Sequence, residues 1–202
     1  VKIFGDIRSG NCYKLALLCR QLNIPFEWVP VDILSGETRK QGFLEKNPNG
    51  RIPVVQLDDG RYLSESNAIM CYLAEGSKML PDDRFARARV LQWLFFEQYS
   101  HEPYIAVSIF IVKYLRNPAD RQLDLAAKRE PGYRALGVMD EQLAETDFLA
   151  GDDYTIADIA LYAYTHRAKE GGFSLEDFAN IQRWLETVRQ QPEYVSMDNA
   201  LN

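Results

Sequence analysis

Along residues 1–80 the apolar and polar positions switch between two periods. V-K-I-F-G opens as a short strand. C-Y-K-L-A-L-L-C-R-Q-L-N follows with helical spacing that puts Leu15, Leu18, Cys19 and Leu22 on one face. F-E-W-V-P-V-D-I alternates with period two, and Pro30, which has no N–H for a ladder, predicts an edge strand. T-R-K-Q-G-F-L-E-K-N reads as a short polar helix or an irregular turn ending at Asn47-Pro48. V-V-Q-L-D-D-G-R-Y-L-S-E-S holds two strands about Asp59-Gly60, a strong hairpin signal. S-N-A-I-M-C-Y-L-A-E-G is an amphipathic helix that stops at Gly76. The predicted order is βαβα and then ββα.

Beyond Leu80-Pro81 the strand signals vanish. Residues 84–117 form one long helical pattern, kinked near Pro103 and closed by Asn117-Pro118. P-G-Y-R-A-L-G-V-M-D-E-Q-L-A-E-T follows, with Pro131 suited to a first helical turn. T-I-A-D-I-A-L-Y-A-Y-T-H-R-A-K-E-G and S-L-E-D-F-A-N-I-Q-R-W-L-E-T-V-R-Q-Q complete an all-helical half. Thr155 and Asp158 form a capping box with Asp in the usual Glu/Gln place. The boundary falls at M-L-P-D-D-R, giving an α/β domain over 1–78 and an all-α helical bundle over 84–202.

Composition narrows the chemistry. The 202 residues suffice for two small cores, and no apolar run is long enough to span a membrane. Residues 1–80 carry 10 Lys and Arg against 9 Asp and Glu, and the remainder 13 against 20. An acidic second half without a basic stripe excludes a nucleic-acid partner, while the slightly basic first part suits a small anionic ligand. Three cysteines (Cys12, Cys19, Cys71) without metal-type spacing, and a start lacking signal-peptide regions, place the protein in a reducing compartment, by default the cytoplasm. His101 and His166 lie far apart on helical patterns, and no metal site is expected.

The segment N-P-N-G-R-I-P-V-V, residues 47–55, sets Pro53 inside an otherwise good strand. Either it starts a strand after a turn, or its fixed backbone serves a ligand. This segment resembles the N-P-x-x-x-[IV]-P of the cytosolic glutathione transferase family. L-S-E-S-N-A-I-M-C-Y-L-A-E resembles that family's [ED]-S-x-A-I-x-x-Y-L helix start, and G-D-D-Y-T-I-A-D-I-A-L-Y the signature of its helical domain. Three motifs in register make the resemblance specific over essentially the whole chain. It implies a thioredoxin-like N-terminal domain joined to an all-helical one, and a homodimer pairing the first domain of one subunit with the helical domain of the other. Glutathione would be a co-substrate, with no metal or redox cofactor.

The resemblance also implies site roles. The Ile52-Pro53 bond would be cis, turning the Ile52 backbone outward to pair with the cysteinyl part of glutathione as a short antiparallel strand. Ser66 would bind the γ-glutamyl carboxylate and Glu65 the ammonium; from sequence alone Ser64 and Ser66 are equally good caps for the helix. Arg51 would hold the glycine carboxylate. A histidine found in relatives is missing near Thr38, where Arg39 or Lys40 would substitute. S-G-N-C-Y-K resembles the theta-like S-x-x-C-[RK] pattern and a bacterial T-P-N-G-H-K variant, which places Ser9 and Asn11 at the thiol. Cys12 competes as a helix-terminal nucleophile or is simply packed. Tyr104 and Phe110 are candidates for a pocket holding a small apolar electrophile. The expected activity is conjugation of the glutathione thiolate to such electrophiles. A glutathione-dependent disulfide or peroxide reductase, and a non-catalytic binding or regulatory protein, are the alternatives.

Overall fold

The structure, a computed structural model, describes residues 1–201, which form two units. The first contains strands β1 (Lys2–Gly5), β2 (Glu27–Pro30), β3 (Val54–Gln56) and β4 (Tyr62–Ser64), with helices α1 (Gly10–Gln21), α2 (Gln41–Leu44) and α3 (Ser66–Leu73). A 3₁₀ turn at Glu37–Arg39 precedes α2, so the polar stretch after β2 is both a turn and a helix. The sheet order is β2-β1-β3-β4, with β1 and β2 parallel and the other pairs antiparallel. This is the thioredoxin-like βαβαββα arrangement. β2 lies at the edge, as Pro30 requires.

At the β3–β4 turn, Leu57 and Arg61 pair at 2.8 Å and Gly60 takes φ 87°. The Asp59 carboxylate accepts the Arg61 N–H at 3.0 Å, which fixes the hairpin.

Helix α1 departs from its expected single apolar face: Cys12 through Cys19 are all buried. It is covered from several directions. Cys12 packs so close to β1 that a Cβ on Gly5 would stand 2.7 Å from its sulfur. α3 packs alongside, and the Tyr13 hydroxyl donates to the Val195 carbonyl at 2.6 Å. That last bond belongs to a further difference. Residues 192–201, which the sequence pattern assigned to the helical half, join the first unit.

The second unit, Lys78–Gln191, contains α4 (Arg84–Phe96), α5 (Ile105–Ile109), α6 (Gln122–Ala127), α7 (Arg129–Glu145), α8 (Ile156–Thr165) and α9 (Ala179–Arg189). Asp83 caps α4 by accepting from the N–H groups of Phe85 and Ala86 at 3.0 and 2.8 Å. The kink expected near Pro103 is a broader disruption: π-helical turns at Glu97–His101 and Phe110–Tyr114 flank α5, with a turn at 102–104. α9 starts at Ala179 rather than Ser174, because the Asp140 carboxylate of α7 takes the Ile181 N–H at 2.9 Å and the Asn180 amide at 3.0 Å.

At α8 the capping box forms: the Thr155 hydroxyl accepts from Ala157, and Asp158 accepts the Thr155 N–H at 2.9 Å. Asp158 also accepts from Leu149 N–H and Trp184 Nε1–H, both at 3.0 Å. No described helix is long and apolar enough to cross a membrane.

Candidate functional site

The site elements of the first unit meet where two helices begin. Ser9 is the N-cap of α1, half-buried, and its hydroxyl makes no bond to the helix backbone. Instead its side chain shares a hydrogen bond with the Cys12 thiol. Burial still dominates at Cys12 and pushes the thiol up to about 12, the Asp6 backbone and Ser9 bonds lowering it less. Full burial and a raised pKa are those of a packed thiol and disfavour its ionisation at neutral pH.

Asn11, in the first turn of α1, meets Ser66, the first residue of α3. The Ser66 hydroxyl donates to Asn11 Oδ1 at 3.2 Å. Beneath them lies Lys14, fully buried, whose Nζ donates to Ser66 Oγ at 3.4 Å and to Asn67 Oδ1 at 3.2 Å. The N-termini of α1 and α3 are thereby tied together over a buried positive charge. Both termini present N–H groups with no intrahelical acceptor, which favours an anion.

The cap of α3 differs from expectation. Neither Ser64 nor Ser66 caps it; the N-cap is Glu65, at φ 69° and ψ 109°, with no side-chain cap bond. That backbone is one L residues rarely adopt, and such strain costs about 1–3 kcal/mol. It leaves the Glu65 carboxylate exposed at the mouth of the helix, with Ser66 buried behind it.

The Ile52-Pro53 bond is cis. Ile52 lies outside the ladder, whose β1–β3 register runs from Val54 to Gln56. Its side chain packs on Val31, Phe43 and Val54. The loop before it is held by Asn47, whose Nδ2 donates to the Arg51 carbonyl at 2.8 Å and whose Oδ1 accepts from Asn49 N–H at 3.0 Å. Arg51 is exposed. Of the two cations proposed near Thr38, Arg39 approaches this loop: its Nη1 donates to the Asn49 carbonyl at 3.3 Å. Gly50, at φ 63°, leaves it room, since a Cβ there would stand 2.7 Å from that nitrogen. Thr38 is buried and Lys40 is exposed.

Three participants were missed from sequence. Lys14 had a signal, one charge inside the apolar run C-Y-K-L-A-L-L-C. Asn47 hid in a segment read for its prolines. The third is Asp6, buried at the end of β1, whose carboxylate takes the Arg8 guanidinium at 2.6 Å and the Arg8 N–H at 3.0 Å and so braces the turn into α1.

In the helical unit Tyr104 helps line a cavity of about 250 Å³ with Phe96, Tyr99, Ser100 and Arg134. Phe110 does not line it and stacks on Tyr114 at 5.3 Å. His101 is buried with its Nε2 2.9 Å from the Thr165 hydroxyl. His166 stacks on Tyr162, and burial pushes its pKa down to about 4. Among the described residues no three His, Cys, Asp or Glu side chains group as metal ligands.

A thioredoxin-like unit with joined helix N-termini, followed by an all-helical unit, defines the class. Family models of the glutathione S-transferase N-terminal and C-terminal domains match residues 8–75 and 95–192. The chain is 31% identical over 214 residues to glutathione S-transferase F13 of Arabidopsis thaliana, covering 100% of this chain and 96% of that one. It is 27% identical to disulfide-bond oxidoreductase YfcG of Escherichia coli, covering 91% and 88%. A crystal structure of a glutathione S-transferase from Pseudomonas fluorescens superposes with a TM-score of 0.95 at 54% identity, covering 97% of this chain and 98% of that one. The chain belongs to the glutathione S-transferase family and is a transferase enzyme.

Proposed function

We propose that this protein conjugates the thiolate of glutathione to small electrophiles. The observation that carries the reading is the Asn11–Ser66 bond, which joins the N-termini of α1 and α3 over Lys14. A dicarboxylate peptide with one thiol fits the surroundings by charge. Its γ-glutamyl carboxylate goes to Ser66 and the first turn of α3, and its ammonium to Glu65. The cysteinyl backbone pairs with Ile52 beside Pro53, and the glycine carboxylate meets Arg51 and Arg39. Ser9 and Asn11 then donate to sulfur and favour its ionised form, the thiol proton passing to solvent. The thiolate forms a carbon–sulfur bond as the leaving group departs with its electron pair.

The assembly proposed is a homodimer in the cytoplasm, joining the first domain of one subunit to the helical domain of its partner. Supporting it, Phe85, Phe95 and Tyr99 of the helical unit are 75%, 71% and 84% exposed, and Tyr62 and Tyr72 of the first unit are also exposed. Large apolar side chains left this exposed are available to a partner surface.

A second reading, reduction of disulfides by glutathione, is favoured by Asn11 and by the likeness to YfcG. The intact Glu65-Ser66 and Ile52-Pro53 pairs disfavour a non-catalytic role. Parallel assays with an aryl halide and with a dialkyl disulfide separate the three: turnover of the halide supports conjugation, turnover of the disulfide alone supports reduction, and neither leaves binding.

A further inference from the structure

The turn between β1 and α1 carries a charge that opposes a thiolate. Ser9, whose hydroxyl faces sulfur in the proposed reaction, donates its own N–H to the Asp6 carbonyl at 2.9 Å. The Asp6 side chain is only 7% exposed. A negative charge buried this far is poorly screened and disfavours a second one close by. One thiol already registers it: burial is the main cause that raises Cys12, and the Asp6 charge adds to it. Cys12 shares a hydrogen bond with the Ser9 side chain, so a glutathione sulfur held at Ser9 meets the same field.

The acid has a local use. Its Oδ1 accepts the Arg8 N–H at 3.0 Å and turns the chain from strand into helix. A neutral oxygen would serve that bond, yet the turn holds a carboxylate and closes it with a cation. Arg8 Nε donates to Oδ1 at 3.0 Å and to Oδ2 at 3.2 Å, and Nη2 donates to Oδ2 at 2.6 Å. Removing one partner of such a pair leaves the buried charge uncompensated. Arg8 itself is exposed, so its side chain is not needed to fill a core.

We infer that Arg8 cancels the charge of Asp6 at the glutathione sulfur, so that the turn can hold an acid beside Ser9 without suppressing the thiolate. The inference rests on glutathione being the ligand and on Ser9 receiving its sulfur. Arg8 and Asp6 are positioning residues in this scheme; neither touches the reacting atom. The other charges that the first unit brings to the site, Lys14, Glu65, Arg39 and Arg51, are the same in every variant below.

The test is a charge cycle in the full chain, read by the thiolate absorbance of bound glutathione titrated against pH. Arg8→Met raises the bound thiol's pKa by about 0.5, up to about a threefold loss of thiolate at neutral pH. Asp6→Asn keeps an oxygen for the Arg8 N–H, leaves the cation uncompensated and lowers the pKa by a similar amount. The double variant returns to the wild-type value. Arg8→Lys, which keeps the charge and loses the planar fork, stays with the wild type. A pair that only braced the turn under Ser9 would behave otherwise, both single variants raising the pKa and the double variant failing to restore it. That outcome, or an unmoved pKa in Arg8→Met, overturns the inference. Should Asp6→Asn not fold, Arg8→Met compared with Arg8→Lys decides, because the two differ in charge at similar length. Calorimetry showing that the wild type does not bind glutathione at all is a different result, and it defeats the functional reading together with this one.

Discussion

Trp184 donates its indole N–H to Asp158 Oδ1 at 3.0 Å, bonding α9 to the first turn of α8. The same carboxylate holds the N–H groups of Leu149 and Thr155 and the Thr155 hydroxyl, so four buried donors depend on one side chain. Each donor left unpaired costs about 1–3 kcal/mol. Asp158→Ala is therefore expected to destabilise the protein by at least ~3 kcal/mol. Asp158→Asn keeps an oxygen for Leu149 and Trp184 and loses less. Urea titration followed by tryptophan fluorescence ranks the two.

Two buried titrations in the helical unit oppose each other. Burial raises Asp158 from 3.8 to about 6, so the native state binds the extra proton; this stability is complete below pH 3.8 and is lost as pH rises through about 6. Burial lowers His166 from 6.5 to about 4, so its contribution is complete above pH 6.5 and is lost as pH falls through about 4. Between pH 4 and 6.5 the two slopes offset. His166→Phe, which keeps the stack on Tyr162, is expected to gain stability relative to the wild type on acidification from pH 6.5 to 4.5. Melting temperatures across that window measure it, and parallel curves for both proteins would contradict the assignment.

Cys12 is buried and its thiol stays protonated, so Cys12→Ala is expected to leave turnover within about twofold of the wild type. Ser9→Ala, by contrast, should slow conjugation at neutral pH and raise the bound thiol's pKa while glutathione affinity holds. Loss of turnover in Cys12→Ala alone would point to a mixed-disulfide mechanism.

Glu65 separates stability from binding. Its φ of 69° suits glycine better than glutamate. Glu65→Gly is expected to be as stable as the wild type or more so, yet to bind glutathione more weakly by ~1.5–3 kcal/mol through the lost charge-assisted bond. Ser66→Ala should weaken binding by a similar amount. Calorimetry and thermal melting together test both claims, and unchanged affinity in either variant removes that residue from the site.

For assembly, sedimentation at micromolar concentration is expected to show a dimer. Phe95→Asp, near the end of α4, combined with Tyr99→Asp in the π-helical turn that follows, should convert it to a monomer with its helical content intact.

Much of this was legible in the chain. Strand and helix periods, the Asp59-Gly60 hairpin, the Thr155–Asp158 box and the motif at 47–55 are local signals, each carried by residues close together in sequence. What escaped depends on long-range burial. Tyr13 is buried because Val195 lies over it, and Lys14 is a site residue because Ser66 arrives 52 positions later. The cap at Glu65 escaped for another reason: a backbone angle, unlike a side-chain type, leaves no mark in the letters. The late start of α9 likewise follows from Asp140 on a different helix.

Because residues 192–201 complete the first unit, that unit begins synthesis before the helical one and is finished after it. Translation through Lys78–Gln191 occupies the ribosome for roughly 6–23 s at about 5–20 residues per second. Throughout that interval the Tyr13 hydroxyl has no Val195 to meet, and the nascent α/β unit must stay in solution with α1 uncovered on that side. The helical unit, continuous in the chain, closes without waiting. The order of completion on the ribosome is thus the reverse of the order of the two units in the gene.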